Sequence, residues 1–214
     1  MTPRLSSLNV GAPAHFTTAE PWSSGIYKSP VVGRISLSSV NLAGDGQADL
    51  TVHGGPDKAV CVYSMDHYPF WRRELEIDEC GPGWFGENFS IEGQTETQVA
   101  IGDTFEIGTA VVQISQPRAP CWKLGRRWNR PDMPKLVVHS GRTGWYLRVI
   151  ETGYVESGDV LTPVERPFPH LTIDAVNAAA YSRGGATNID AVRELANCPA
   201  LAQAWRGKFR NLVD

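Results

Sequence analysis

Between residues 31 and 165 the apolar and β-branched residues fall in short alternating runs closed by glycine turns, and this pattern constrains the fold more than any other feature. "VVGRISLSSV" (31–40) and "TAVVQISQ" (109–116) have the period of two that sends alternate side chains to opposite faces of a strand. "GDTFEIGTAVV" adds the Gly-Asp and Gly-Thr punctuation of a hairpin, and "GWYLRVIETGYVESGDVLTPVE" (144–165) repeats the scheme of strand, glycine turn, strand. Short strands of this kind suggest a mainly β barrel or sandwich rather than a parallel α/β sheet. Two helices interrupt them. "SMDHYPFWRREL" (64–75) sets Met65, Tyr68, Trp71 and Leu75 on one face, and "PDMPKLVVHSG" (131–141) opens on prolines and stops at Gly141.

The flanks read differently. Residues 1–30 are rich in Pro, Ser, Gly and Ala without a sustained period, which predicts an arm lying over the core. After "ERPFPH" the chain turns to Ala, Leu and Arg, and three short helices are expected. They are "TIDAVNAAAYSRGG", with a Thr cap and a Gly-Gly stop, "NIDAVRELAN", with an Asn cap, and "PALAQAWRGKFR", opened by Pro199. Each is near or below the ~12–15 residues at which an isolated helix is even marginal in water, so they must pack on one another or on the barrel. The expected domains are therefore 1–166, barrel with N-terminal arm, and 167–214, a three-helix appendage whose Arg183, Arg193 and Arg206 are scattered and lie apart from any ligand site.

At 214 residues the chain can bury one main core with such an appendage. Twenty Lys+Arg against 23 Asp+Glu, a net charge of -3, create no overall field for nucleic acid or anionic lipid, so any anion site must be local. The start lacks an apolar signal region, and no apolar run approaches the ~20 residues that span a bilayer; a cytoplasmic protein without membrane contact is expected. Its four cysteines, Cys61, Cys80, Cys121 and Cys198, have no CxxC spacing, which argues for reduced thiols rather than a four-thiolate zinc site or a redox pair.

One cysteine has unusual company. In "SQPRAPCWKLGRR" (115–127) Arg118 and Lys123 lie within three residues of Cys121, and Pro120 places the thiol at the first turn of a short helix "CWKLGRRW". Cations favour the thiolate, the form that acts as ligand or nucleophile, although a free cysteine can equally be a small buried hydrophobe. Cys61, in apolar "AVCVY", Cys80, in a Gly/Pro turn, and Cys198, at a helix start without adjacent cations, are expected to be structural. A second stretch, "ADLTVHGGPDKAVCVY" (48–63), offers His53 before Gly54 and Gly55, paired glycines whose N–H groups could approach an anion; a tight turn with a structural histidine explains it as well. "WFGENFSIEG" (84–93) presents Glu87 and Asn88, and "GIYKSPV" (25–31) presents Lys28 and Ser29, a point charge and a hydroxyl suited to phosphate. Arg126 and Arg127 read as surface charge, and Trp122, Trp128 and Trp145 as core residues or stacking surfaces.

In combination, "VHGGPDKAV", "FGEN", "GDTFEIG" and "QPRAPCWKL", in that order, closely resemble the MOSC domain proteins, and among them the YiiM-type branch, over about residues 25–165; the helical tail resembles the three-helix appendage of that branch. The resemblance implies a β-barrel with a few interrupting helices that binds the molybdenum cofactor, with Cys121 as the thiolate ligand of molybdenum and, with His53, the catalytic pair. It implies further that Arg118 and Lys28, and after them Lys123, meet the phosphate or pterin, that His53 and Asn88 make polar contacts, and that Ser29, Gly54 and Gly55 complete the cofactor site. Molybdopterin carries a phosphate and a dithiolene, so cations and a soft sulfur ligand suit it.

YiiM-type proteins are associated with reduction of N-hydroxylated compounds, including hydroxylaminopurine base analogues, which is the activity implied here. No GxGxxG, iron-sulfur pattern or haem CxxCH is present, so a separate electron-donating reductase is expected as partner. Direct nucleic-acid binding is not expected, and a homodimer is left open. A cofactor-handling protein without turnover, or a carrier with a persulfide on Cys121, would use the same residues.

Overall fold

The structure is a computed structural model that describes residues 2–181 and 188–213. Its strands are β1 (Arg4–Val10), β2 (Ala14–Phe16), β3 (Trp22–Ser24), β4 (Ser29–Pro30), β5 (Ile35–Leu37), β6 (Val60–Ser64), β7 (Phe89–Glu92), β8 (Thr104–Ile107), β9 (Ala110–Pro117), β10 (Trp145–Glu151), β11 (Gly153–Val155) and β12 (Thr162–Glu165). Helices are α1 (Tyr68–Leu75), α2 (Trp122–Arg127), α3 (Met133–Ser140), α4 (Ile173–Tyr181), α5 (Ile189–Asn197) and α6 (Gln203–Arg210).

Eight strands form one sheet in the order β12-β8-β9-β10-β6-β7-β1-β4, antiparallel except for the parallel pair β6–β7. The sheet curls into a half-barrel. Beside its first strand, Leu5 N–H donates to Asp159 O at 2.9 Å, Gly158 N–H to Leu5 O at 2.7 Å and Leu161 N–H to Pro3 O at 3.0 Å, so β1 meets the segment leading into β12. Alternate residues of the strands, among them Val60, Val62, Phe105, Ile107, Val112, Ile114, Trp145 and Leu147, fill the inner face.

Three readings are corrected. Residues 4–10 are not an arm but a strand within the sheet, between β7 and β4. A register shift between Leu5 and Ser7 puts both Leu5 and Leu8 in the core although they are three apart, and that bulge erased the period of two. The 144–165 stretch also forms no hairpin of consecutive strands: β10 lies between β9 and β6, while β11 pairs with β5 in a separate two-stranded sheet. Only Ile35–Leu37 of the 31–40 run is strand. The β8–β9 hairpin and the helices at 68–75 and 133–140 form as the punctuation indicates, with Gly141 closing α3 at φ 71.

A second apolar cluster lies on the outer face. Tyr63, which alternates with Val60 and Val62 along β6, stacks on Phe85 at 4.2 Å and joins Tyr68, Trp71, Leu124, Met133 and Val137 beneath α1, α2 and α3. The C-terminal helices pack on the barrel instead. Ile173, Val176, Val192, Leu195, Trp205 and Phe209 share one continuous core with Val99 and Ile101. Backbone bonds stitch the contact, from Ile101 N–H to Leu171 O at 2.9 Å and from Ala202 N–H to Ser115 O at 2.9 Å. Helix α6 begins at Gln203 rather than at Pro199, after the turn that delivers this last bond. The Gly184-Gly185 stop and Arg183 lie outside the described residues. Among the described residues no helix is long and apolar enough to cross a membrane.

Candidate functional site

Three neighbouring strands build the floor of a cleft. In the β6–β10 pairing Cys61 stands opposite Tyr146, and in the β10–β9 pairing Tyr146 stands opposite Gln116, two residues before Arg118. Their neighbours Val60, Val62 and Leu147 point into the barrel, so pleating turns Cys61 and Tyr146 outward. Cys61, Tyr146 and Arg118 line an open cleft together with residues 24–26 and 46–48, His53, Gly54, Lys58, Cys121 and Lys123.

Cys121 is half-exposed, whereas Cys61, Cys80 and Cys198 are buried. It occupies the N-cap of α2 in an extended conformation (φ -104, ψ 168), with its carbonyl accepting Leu124 N–H at 3.0 Å. Arg118 is buried at 6% exposure. Its Nη2 donates to Phe85 O at 2.5 Å, and its Nη1 has no hydrogen-bond partner. Burial opposes the charge on Arg118, but the acidic groups around it, Cys61, Tyr146 and Cys121 in their ionised forms and the Glu87 carboxylate, outweigh that effect, and its pKa rises. The guanidinium is thus a charged group with donor capacity unused, in a place where an unpaired donor is costly.

His53 leans the other way. Burial first, then the charges of Lys123 and Lys58, pull its pKa below the usual histidine value, so the imidazole is neutral near pH 7. Beside it Gly54 has φ +79, and a Cβ there would sit 2.8 Å from Gln47 Oε1. Lys58, lowered in pKa chiefly by burial, donates to Val52 O at 2.7 Å. Lys123 Nζ lies 5.9 Å from the Trp122 ring centroid.

The structure brings Lys28, His53, Gly54, Asn88, Arg118, Cys121 and Lys123 together around this cleft; Ser29 and Gly55 are not among its lining residues. Ser29 is exposed on β4, opposite Val10, and Gly55 caps the 3-10 turn Pro56–Lys58. Lys28 is not a free cation: its ammonium is paired with the carboxylate of Asp45, which also accepts Gly11 N–H at 2.9 Å. Asn88 is likewise committed, its Oδ1 accepting Cys61 N–H at 3.1 Å and its Nδ2 donating to Asn9 O at 3.2 Å, so it ties β6 to β1. Glu87 accepts Gly83 N–H at 2.6 Å and Phe85 N–H at 3.0 Å, and thereby holds the turn whose Phe85 carbonyl receives Arg118.

Arg126 pairs with Glu20, and Arg127 lies between the rings of Tyr27 and Trp84, 4.8 Å from each centroid. Trp145 is core, whereas Trp122 is 56% exposed beside Cys121. Sequence reasoning did not single out Tyr146, Lys58 and Gln47, which line the cleft, and it read Cys61 as structural without placing it at the cleft floor. Period two in β10 and β6 would have put Cys61 and Tyr146 on a face opposite the core, but only strand order shows that the two faces adjoin.

Residues 49–162 match the model of the MOSC domain, and residues 171–214 match that of the YiiM-like, 3-alpha helix domain. The chain is 36% identical over 184 residues to Protein YiiM of Escherichia coli (strain K12), an alignment covering 85% of this chain and 81% of that protein. It is also 36% identical over 182 residues to a protein named Reductase from Gibberella moniliformis, covering 84% of this chain and 31% of that longer protein. The crystal structure of YiiM from Geobacillus stearothermophilus superposes with a TM-score of 0.83 at 33% identity, covering 99% of this chain and 100% of that one.

Proposed function

This chain belongs to the MOSC domain family, in its YiiM-like branch, and on that premise we propose that it is a molybdenum-cofactor-binding reductase of N-hydroxylated compounds, fed by a separate electron donor. The observation that carries the proposal is the pairing, in one cleft, of a buried arginine with an unused Nη1 donor and the half-exposed cysteine of the chain. A phosphate-bearing, sulfur-coordinated metal cofactor answers both needs: an anion satisfies Arg118, and a soft metal accepts the Cys121 thiolate. The residues present therefore fit the group.

In this reading Arg118 binds the phosphate or pterin, with Lys123 and Lys58 adding positive charge at the wall. Lys28, neutralised by Asp45, shapes the wall and does not bind phosphate. Cys121 Sγ is the protein ligand of the metal. His53, neutral near pH 7, offers one ring nitrogen as acceptor and the other as donor to a substrate N-hydroxyl. Tyr146 Oη holds its proton, since burial raises its pKa, and so remains a donor on the floor. Bound there, the cofactor supplies two-electron chemistry, which with two protons converts an N-hydroxyl group to an amine and water.

The test is metal and pterin analysis of protein purified from a host that makes the cofactor, followed by an assay with an artificial donor and an N-hydroxylated purine analogue. Molybdenum with turnover is the expected result. Molybdenum without turnover would instead identify a cofactor-handling protein, and sulfane sulfur on Cys121 without molybdenum a persulfide carrier.

A further inference from the structure

Among the described residues none of the C-terminal helices lines the cleft, yet a buried polar chain runs from α4 to Arg118. The Arg118 N–H donates to Gly144 O at 3.1 Å. The same carbonyl accepts the Thr143 hydroxyl at 3.0 Å, and Thr143 Oγ1 in turn accepts Asn177 Nδ2 of α4 at 2.8 Å. Gly144 is held from its other side as well: its N–H donates to Glu96 Oε1 at 2.7 Å, while Glu96 Oε2 lies 2.6 Å from His67 Nε2. The carbonyl of Glu96 accepts Asp174 N–H, again from α4, at 3.0 Å.

Thr143, Glu96, His67, Asn177 and Arg118 are all buried, and buried polar groups of this kind are strongly tied to their partners. Gly144 leaves little slack. It has φ +74, and a Cβ there would lie 2.3 Å from Val62 O, so the chain is pressed against β6 where it hands its carbonyl to Arg118. Nothing in the packing of an apolar cap requires such a chain; Ile173, Val176 and Phe209 already bury the helices on the barrel.

We propose that helix α4 of the C-terminal segment positions Arg118 for its anion, through Asn177, Thr143 and Gly144. The inference rests on the reading of Arg118 as the anion-binding residue. Asn177 and Thr143 are positioning residues in this scheme, because neither lines the cleft.

The test uses the full-length protein with Thr143→Val, Asn177→Leu, the conservative Thr143→Ser, and Arg118→Ala. Two quantities are read: native-state hydrogen exchange at the Arg118 amide against amides of strand β8, and the affinity for inorganic phosphate by titration calorimetry. Thr143→Val and Asn177→Leu are expected to speed exchange at Arg118 several-fold with β8 unchanged, and to weaken phosphate binding about fivefold, as loss of one buried hydrogen bond would. Thr143→Ser restores both. Exchange at Arg118 that is unchanged, or that rises only in step with β8, overturns the proposal, because the chain then contributes stability alone. Phosphate binding indifferent to Arg118→Ala would overturn the anion reading of the cleft instead, while exchange still decides the coupling.

Discussion

Tyr146 stands directly across the β6–β10 ladder from Cys61, and both side chains line the same cleft. The cleft thus holds two sulfurs of different character, one sealed in the floor and one half-exposed at the start of α2.

Thiol chemistry should follow that difference. Burial pushes the Cys61 thiol up, and burial with the Glu87 charge pushes Cys80 up to about 12, while Cys198 is buried among the C-terminal helices. Iodoacetamide at pH 7.5 should modify Cys121 first in the folded apo-protein, as read by peptide mass spectrometry. A Cys61 or Cys198 adduct appearing earlier would contradict the assignment.

Cys121 and Arg118 should be separable. Cys121→Ser replaces a soft, ionisable ligand by a hydroxyl that stays protonated, so turnover should vanish while bound pterin persists. Arg118→Ala removes a charge-assisted contact of roughly 1.5–3 kcal/mol and should lower pterin occupancy by about one to two orders of magnitude at limiting cofactor. Pterin content and turnover of both variants, with circular dichroism as folding control, decide it; full activity in Cys121→Ser would end the thiolate reading.

Lys28 should behave as a structural cation. It and Asp45 are 6% and 0% exposed, and breaking a buried pair by removing one partner costs about 3–5 kcal/mol. Asp45→Ala should therefore lower the urea midpoint sharply, and Lys28→Met should reduce stability more than it reduces pterin occupancy. The reverse ranking for Lys28→Met would return it to the ligand site.

His53 predicts a pH dependence. Its pKa is lowered in the folded protein, so below the ordinary histidine value near 6.5 the unfolded chain binds the proton more readily and stability falls with falling pH. His53→Gln should lose this part of the slope. Urea unfolding at pH 7.5 and 5.5 should show the variant gaining on the wild type at the lower pH; parallel curves would mean that His53 is not depressed.

The C-terminal helices should be indispensable to folding. Phe209 is fully buried in the core that includes Val99 and Ile101, and Phe209→Ala should cost about 3–5 kcal/mol in chemical denaturation. Deleting residues 168–214 would bare that apolar surface and should yield aggregated protein. A soluble, cooperatively unfolding truncation would show that the barrel folds alone.

The residues around Cys121 were legible because cations, prolines and glycines near one another in sequence announce chemistry locally; Arg118, Lys123, His53 and Gly54 do reach one cleft. The paired states of Lys28 and Asn88 were not, since their partners, Asp45 and Asn9, are remote in sequence and carry no signal of the pairing. Strand β1 escaped for a different reason, its bulge having broken the alternation.

By itself the sequence determined that the chain is mainly β with three closing helices, and which thiol stands among cations, because period, turn residues and neighbouring charge act over a few residues. Tertiary structure alone decided that Cys61 and Tyr146 floor the cleft, that Arg118 keeps an unused donor there, and that α4 reaches it through Thr143 and Gly144. Strand order and desolvation set those relations, and both arise only when distant segments pack together.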